Sequence, residues 1–214
     1  MDQDIEIINA KTRNEKIKNF FINNSKKLIS IITIIIILLL GYFLYKHFEE
    51  NKKINLANSY NLAVNKFNSE NKSQVTSELI NIIKEKDETY SPLALYFLLD
   101  YELITSKDEI NEYFDIIINE INLEKEIKNL VIFKKALHNS DFQSEDKLLK
   151  ILNPIINSNS VWKSHALYLM AEYFFSKGEK QKSLEFYNQI ISLEKSNPNI
   201  KLEAEKRILR DLSE

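Results

Sequence analysis

An uninterrupted apolar run, residues 28–45 (LISIITIIIILLLGYFLY), constrains this chain more than any other stretch. Its 18 residues carry no charge, and only Ser30 and Thr33 are polar before Gly41. As an α-helix at 1.5 Å per residue the run spans roughly 27 Å, close to the ~30 Å hydrocarbon core of a bilayer. Backbone in lipid must satisfy its own hydrogen bonds, and a helix does so. The two hydroxyls can bond back to the carbonyl one turn earlier, which makes them tolerable in lipid. The run therefore predicts a transmembrane signal anchor over 28–45, with a tail over 1–27 and one helical domain over 46–214.

Charge gives the expected orientation. Lys11, Arg13, Lys16, Lys18, Lys26 and Lys27 precede the run, whereas residues 46–65 hold only Lys46, Lys52 and Lys53. Lysine and arginine concentrate on the cytoplasmic side of a span, so the tail is expected in the cytoplasm and the domain beyond the membrane. No small-x-small cleavage site comes after the run, which argues for an uncleaved anchor. Ile5, Ile7, Ile8, Ile17, Phe20 and Phe21 punctuate the tail charges. Residues 14–24 could form a short amphipathic helix on the inner leaflet, or a flexible tail that only sets topology.

Composition narrows the fold of the domain beyond the anchor. Two glycines and three prolines in 214 residues are too few for turn-dense β architectures, so the domain is expected to be all-α. A net charge of −2 argues against nucleic-acid binding. The absence of cysteine removes disulfides, thiolate metal sites and cysteine-linked lipids.

Apolar residues then recur with helical spacing, in pairs. Leu56, Tyr60, Ala63, Val64 and Phe67 mark one helix, and Leu79, Ile80, Ile82 and Ile83 its partner. Ser91-Pro92 reads as a helix start, with serine as the cap and proline at the first helical position. Ser106-Lys107-Asp108-Glu109 is a capping-box pattern. A helix over Leu148, Leu149, Ile151 and Leu152 is expected to close before Pro154, and a turn is expected at Gly178. The period is close to 36: Ala94, Leu130 and Ala166 are 36 apart, as are Tyr101, Leu137 and Tyr173. Such a period is the signature of stacked helix-turn-helix repeats. Four pairs are expected, with a charged terminal helix after Pro198.

In the last pair, Leu167, Met170, Ala171, Phe174, Gly178, Ser183, Tyr187 and Ile190 resemble the tetratricopeptide consensus. The tryptophan of its first large position is missing, and Pro198 falls about three residues late. The tail, the anchor, the segment from Leu56 to Ala63, Tyr90-Ser91-Pro92-Leu93-Ala94, Trp162-Lys163-Ser164-His165-Ala166 and the segment from Ala171 to Lys180 together resemble a membrane-bound family. This is the bacterial ancillary SecYEG translocon subunit (YfgM-like) family, whose members sit in the inner membrane with the repeat domain in the periplasm. The resemblance implies contact with the Sec translocon and with periplasmic chaperones that receive emerging chains. The alternative on the same fold is a scaffold for another envelope machine, such as cell division or outer-membrane assembly.

No catalytic, cofactor or metal constellation is legible. His47, His138 and His165 are far apart and in no ligand spacing, and there is no glycine-rich phosphate loop. The expected role is protein–protein interaction, with no small-molecule substrate. In such arrays the first helix of each pair lines a concave face. A constant repeat puts Tyr96, Asp100 and Leu103 there from one pair, Asn129, Ile132 and Ala136 from the next, and His165, Tyr168, Glu172 and Phe175 from the last.

Overall fold

The computed structural model describes residues 2–212, and side chains from residue 13 to residue 212. The tail positions Ile5, Ile7, Ile8 and Lys11 therefore lie outside the described side chains. All regular structure among the described residues is helical. The order is α1 (Asp2–Asn23), α2 (Ser25–Lys66), α3 (Lys72–Lys84), α4 (Tyr90–Asp100), α5 (Lys107–Glu120) and α6 (Lys125–Asn139). After these come α7 (Glu145–Ile156), α8 (Lys163–Ser176), α9 (Lys180–Ser192), α10 (Pro198–Arg207) and one π-helical turn, Ile208–Leu212. The chain divides into two units, Met1–Asn55 and Leu56–Glu214.

From residue 13 onward the first unit is mostly exposed helix. α2 is long and apolar enough to cross a membrane, and none of its most apolar 18-residue window is buried against protein. Thr33 Oγ1 donates to the Ile29 carbonyl at 2.9 Å, a back-bond that satisfies the hydroxyl within its own helix. In α1, Ile17, Phe20, Phe21 and Ile22 are all exposed. Residues 46–55 are exposed as well, and the second unit begins at Leu56.

The second unit is an α-solenoid of stacked helix pairs. Each pair is too small to bury its own apolar face, so the core forms between neighbours. One cluster joins the end of α2 (Leu56, Ala63) to α3, α4, α5 and Val131 of α6. A second joins Ile132 and Ala136 of α6 to α7 and α8. The third joins Leu167 and Ala171 of α8 to α9 and Ala204 of α10. Helices α6 and α8 thus each feed two clusters. α8 is buried on most sides, and its sequence is correspondingly apolar all round. Between α2 with the Phe67 that follows it and α4 with the Tyr101 that follows it, the contact is aromatic: Tyr60–Tyr90, Phe67–Phe97 and Phe67–Tyr101 have ring centroids 5.8, 5.4 and 4.9 Å apart. Asn111 of α5 and the buried Asn139 of α6 exchange amide hydrogen bonds of 3.1 and 2.8 Å.

Several local signals act as expected. Ser106 caps α5, accepting from the Glu109 amide at 3.4 Å. The return half of that capping box is not made, because Glu109 accepts instead from the Tyr113 hydroxyl at 2.6 Å. Gly178 adopts φ +78° and closes α8 in a Schellman motif, with Gly178 N–H on the Phe175 carbonyl and Glu179 N–H on that of Phe174.

Others differ. Ser91 is not the cap of α4. It lies inside the helix, buried, and its hydroxyl donates to the Ile82 carbonyl at 3.0 Å. The side chain of Asp87 takes the capping role, accepting from the Thr89 and Tyr90 amides at 2.8 and 2.7 Å. Nor does α7 stop before Pro154; it continues to Ile156 with the proline in its last turn. A mid-helix proline costs ~3 kcal/mol or more. Full burial of Ile155 offsets much of that, since burying such a side chain contributes about 1.5–3 kcal/mol.

The repeat is also uneven. Pro92, Ala94 and Leu95 of α4 recur as buried Asn129, Val131 and Ile132 of α6, a step of 37. Asn129, Val131, Ile132, Ala136 and Asn139 recur as Ser164, Ala166, Leu167, Ala171 and Phe174 of α8, a step of 35. The mean is 36, but a constant 36 misplaces the middle pair by one residue. One residue is about 100° of helix rotation, enough to exchange a surface face for a core face.

Candidate functional site

The uneven repeat decides which side chains share the expected inner face of the helix pairs. Asn129, Ile132 and Ala136 do not line it; they are buried between helices, at 6%, 7% and 0% exposure. In the corrected register Tyr96, Phe133 and Tyr168 are equivalent, and so are Asp100, Leu137 and Glu172. Leu103, half-buried after α4, packs against the first cluster.

Between α4 and α6 this face opens into a cleft of about 450 Å³. α4 supplies Tyr96, Leu99 and Asp100, one stripe at helical spacing. α6 supplies Lys134, Leu137 and His138, another such stripe. The corner between α4 and α5 adds Glu102, Ile104 and Thr105, and α5 adds Lys107 and Ile110. That corner is tight because Glu102 takes a left-handed φ of +51°, and the Leu103 amide reaches back to the Leu98 carbonyl at 2.8 Å. Leucine and isoleucine side chains give the cleft an apolar lining, and its charges are mixed.

Two polar atoms at the cleft are cut off from solvent and lack a hydrogen-bond partner: the Tyr96 hydroxyl and His138 Nε2. An unsatisfied buried group costs about 1–3 kcal/mol. Burial pushes the Tyr96 phenol up to about 12. His138 is held below the usual histidine range, first by burial and then by the nearby Lys107 cation. Lys134 Nζ stands 4.4 Å from the Tyr96 ring centroid, and Lys107 Nζ 3.9 Å from that of Phe142.

The equivalent positions on α8 are closed. Glu172 accepts from Arg207 Nε at 2.7 Å and Arg207 Nη2 at 2.5 Å, and also from the Tyr187 hydroxyl. Arg207 stacks 4.6 Å from the Phe175 ring centroid and donates from Nη1 to Asp211 at 2.5 Å. Tyr168 packs edge-on against Tyr187 at 5.6 Å. Burial would raise the Glu172 carboxyl, but Arg207 and Tyr187 outweigh it and hold the group below its usual range. Burial and the adjacent Glu172 charge push Tyr168 up to about 12. Tyr168, Glu172 and Phe175 thus form a clamp that fastens α10 onto α8.

His165 belongs to neither site. It sits in an aromatic cluster with Trp162 and Phe133, at 5.1 and 6.0 Å between ring centroids. Sequence reasoning missed most of the cleft, including Lys134, Leu137 and His138 of α6 and Lys107 of α5, and also missed Arg207 and Tyr187 of the clamp. The signal for the α6 residues is their i, i+3, i+4 spacing on one helix face. Comparison with protein-family models, curated proteins and solved structures returns no match.

Proposed function

We propose that this chain is a membrane-anchored protein-interaction module of the bacterial cell envelope. Its α2 span lies in the inner membrane, the tail in the cytoplasm and the solenoid in the periplasm. It serves as an ancillary subunit of the Sec translocon and passes emerging secreted chains to periplasmic chaperones. The observation that carries the interaction role is the open cleft between α4 and α6, a recess between the first helices of two adjacent pairs. That position suits capture of an extended segment. The Sec assignment rests on the layout resemblance, and the orientation on the lysine and arginine asymmetry about the span.

Photo-crosslinking in cells from position 137, with position 168 as a clamped control, tests it. Products with translocon subunits, periplasmic chaperones or secreted chains at 137 but not 168 are expected. Products dominated by cell-division or outer-membrane assembly proteins would move the module to another envelope machine. A phosphatase reporter fused after Glu214, active only outside the cytoplasm, checks the orientation.

A further inference from the structure

We propose that the cleft between α4 and α6 takes an extended peptide segment presenting one aspartate or glutamate side chain beside apolar ones. The proposal rests on reading this chain as a protein-interaction module, and it names the class of segment captured.

Charge complementarity selects the occupant. Elsewhere in the solenoid, lysines that reach between helices end on carboxylates: Lys86 on Glu120 at 2.6 Å, Lys135 on Asp115 at 2.7 Å and Lys182 on Glu145 at 2.9 Å. The two lysines at the cleft do not. Lys134 and Lys107 stand over the faces of Tyr96 and Phe142, and among the described residues neither has a carboxylate at ion-pair distance. A cation over an aromatic face is held weakly where solvent reaches it, so either ammonium is free to turn to a better partner. Asp100 and Glu102, exposed residues of the same cleft, stay unpaired with both lysines. Their charge disfavours a run of acidic residues and leaves room for a single carboxylate among neutral neighbours. Ile104, Ile110 and Leu137 supply apolar contact for those neighbours. The buried Tyr96 hydroxyl completes the arrangement. A carboxylate that draws Lys134 off the Tyr96 ring uncovers the phenol, which then donates to a carbonyl of the bound segment.

The test uses the full chain in nanodiscs and three fluorescein-labelled, C-terminally amidated peptides that differ at one residue, an aspartate, asparagine or lysine between leucines. Fluorescence anisotropy is expected to show the aspartate peptide binding at least fivefold tighter than the asparagine twin, with the lysine twin weakest. The Lys107→Gln/Lys134→Gln double variant is expected to lose that preference, so that the aspartate and asparagine peptides bind alike. Tyr96→Phe is expected to weaken the aspartate peptide about threefold with no fall in Tm, since it removes an unsatisfied buried hydroxyl. A purely structural Tyr96 would give the opposite pattern. Equal binding of the aspartate and asparagine peptides, or preference for lysine, overturns the charge assignment and leaves the interaction reading standing. Tightest binding by an asparagine peptide with a free C-terminus would make the ligand a chain end and overturn the side-chain assignment. Failure of all peptides and of an unfolded secreted chain would overturn both readings. The comparison among peptides on the unaltered protein stands even if a variant does not fold.

Discussion

Tyr96 and Asp100 occupy the same repeat positions as Tyr168 and Glu172, 72 residues later, yet the two pairs have opposite fates. On α4 the carboxylate is exposed and the tyrosine hydroxyl has no partner. On α8 the carboxylate is covered by Arg207 and tied to Tyr187. Each acid is set by what stacks next. α6 offers Leu137 and Lys134 to the α4 position, and neither settles on Asp100. α10 offers a guanidinium whose planar fork matches a carboxylate in two places. An inner face thus stays open where the next helix leaves it unsatisfied, and becomes a fastener where the next helix completes it.

Breaking the fastener should have the largest effect. Glu172→Ala leaves Arg207 with Asp211 alone and the Tyr187 hydroxyl without its acceptor, and is expected to cost about 2–3 kcal/mol, or roughly 5–10 °C in Tm. Asp100→Ala should stay within about 0.5 kcal/mol, as exposed substitutions do. Equal losses in thermal denaturation would erase the contrast.

Two helix ends sharpen it at a smaller scale. Gly178 and Glu102 both hold left-handed backbone after their helices, but only Gly178 suits it. Gly178→Ala is expected to destabilise by about 1–2 kcal/mol, whereas Glu102→Gly should stabilise by up to about 1 kcal/mol. Urea midpoints with unchanged slopes would read both. Loss of stability in Glu102→Gly would mean that its side chain holds the corner.

The smallest effect is in pH. The Glu172 carboxyl is depressed in the folded chain, so its contribution is present above the ordinary carboxylate pKa. It fades as pH falls through the lower folded value. Acid denaturation is therefore expected to begin with α10, seen as early loss of amide protection there, while α4 and α5 hold. A Glu172→Gln variant should lose that early phase.

Much of the architecture was legible because the pairing of apolar stripes is a local signal. The register was legible over two repeats, where Ala94 and Ala166 or Tyr96 and Tyr168 match, but not in the middle. α6 is apolar on two sides: Ile127 and Leu137 are exposed, while Val131, Ile132 and Ala136 are buried. Periodicity alone cannot say which stripe faces inward, so compensating one-residue changes on either side of α6 went unseen. The Ser91-Pro92 start misled because a serine hydroxyl can serve a neighbouring helix as readily as its own. The clamp was hidden for a different reason. Glu172 and Arg207 are 35 residues apart, and nothing short-range announces that they meet.

The division of the core into overlapping clusters bears on how the chain is made. The buried members of the first cluster all lie between Leu56 and Val131, so none waits on residues beyond α6. It can close while the rest is still being synthesised, and Ile132, the next residue, then opens the second cluster. Each new helix finds a finished template behind it. Arg207 follows every buried member of the three clusters, so the fastener on α8 closes after the core it secures.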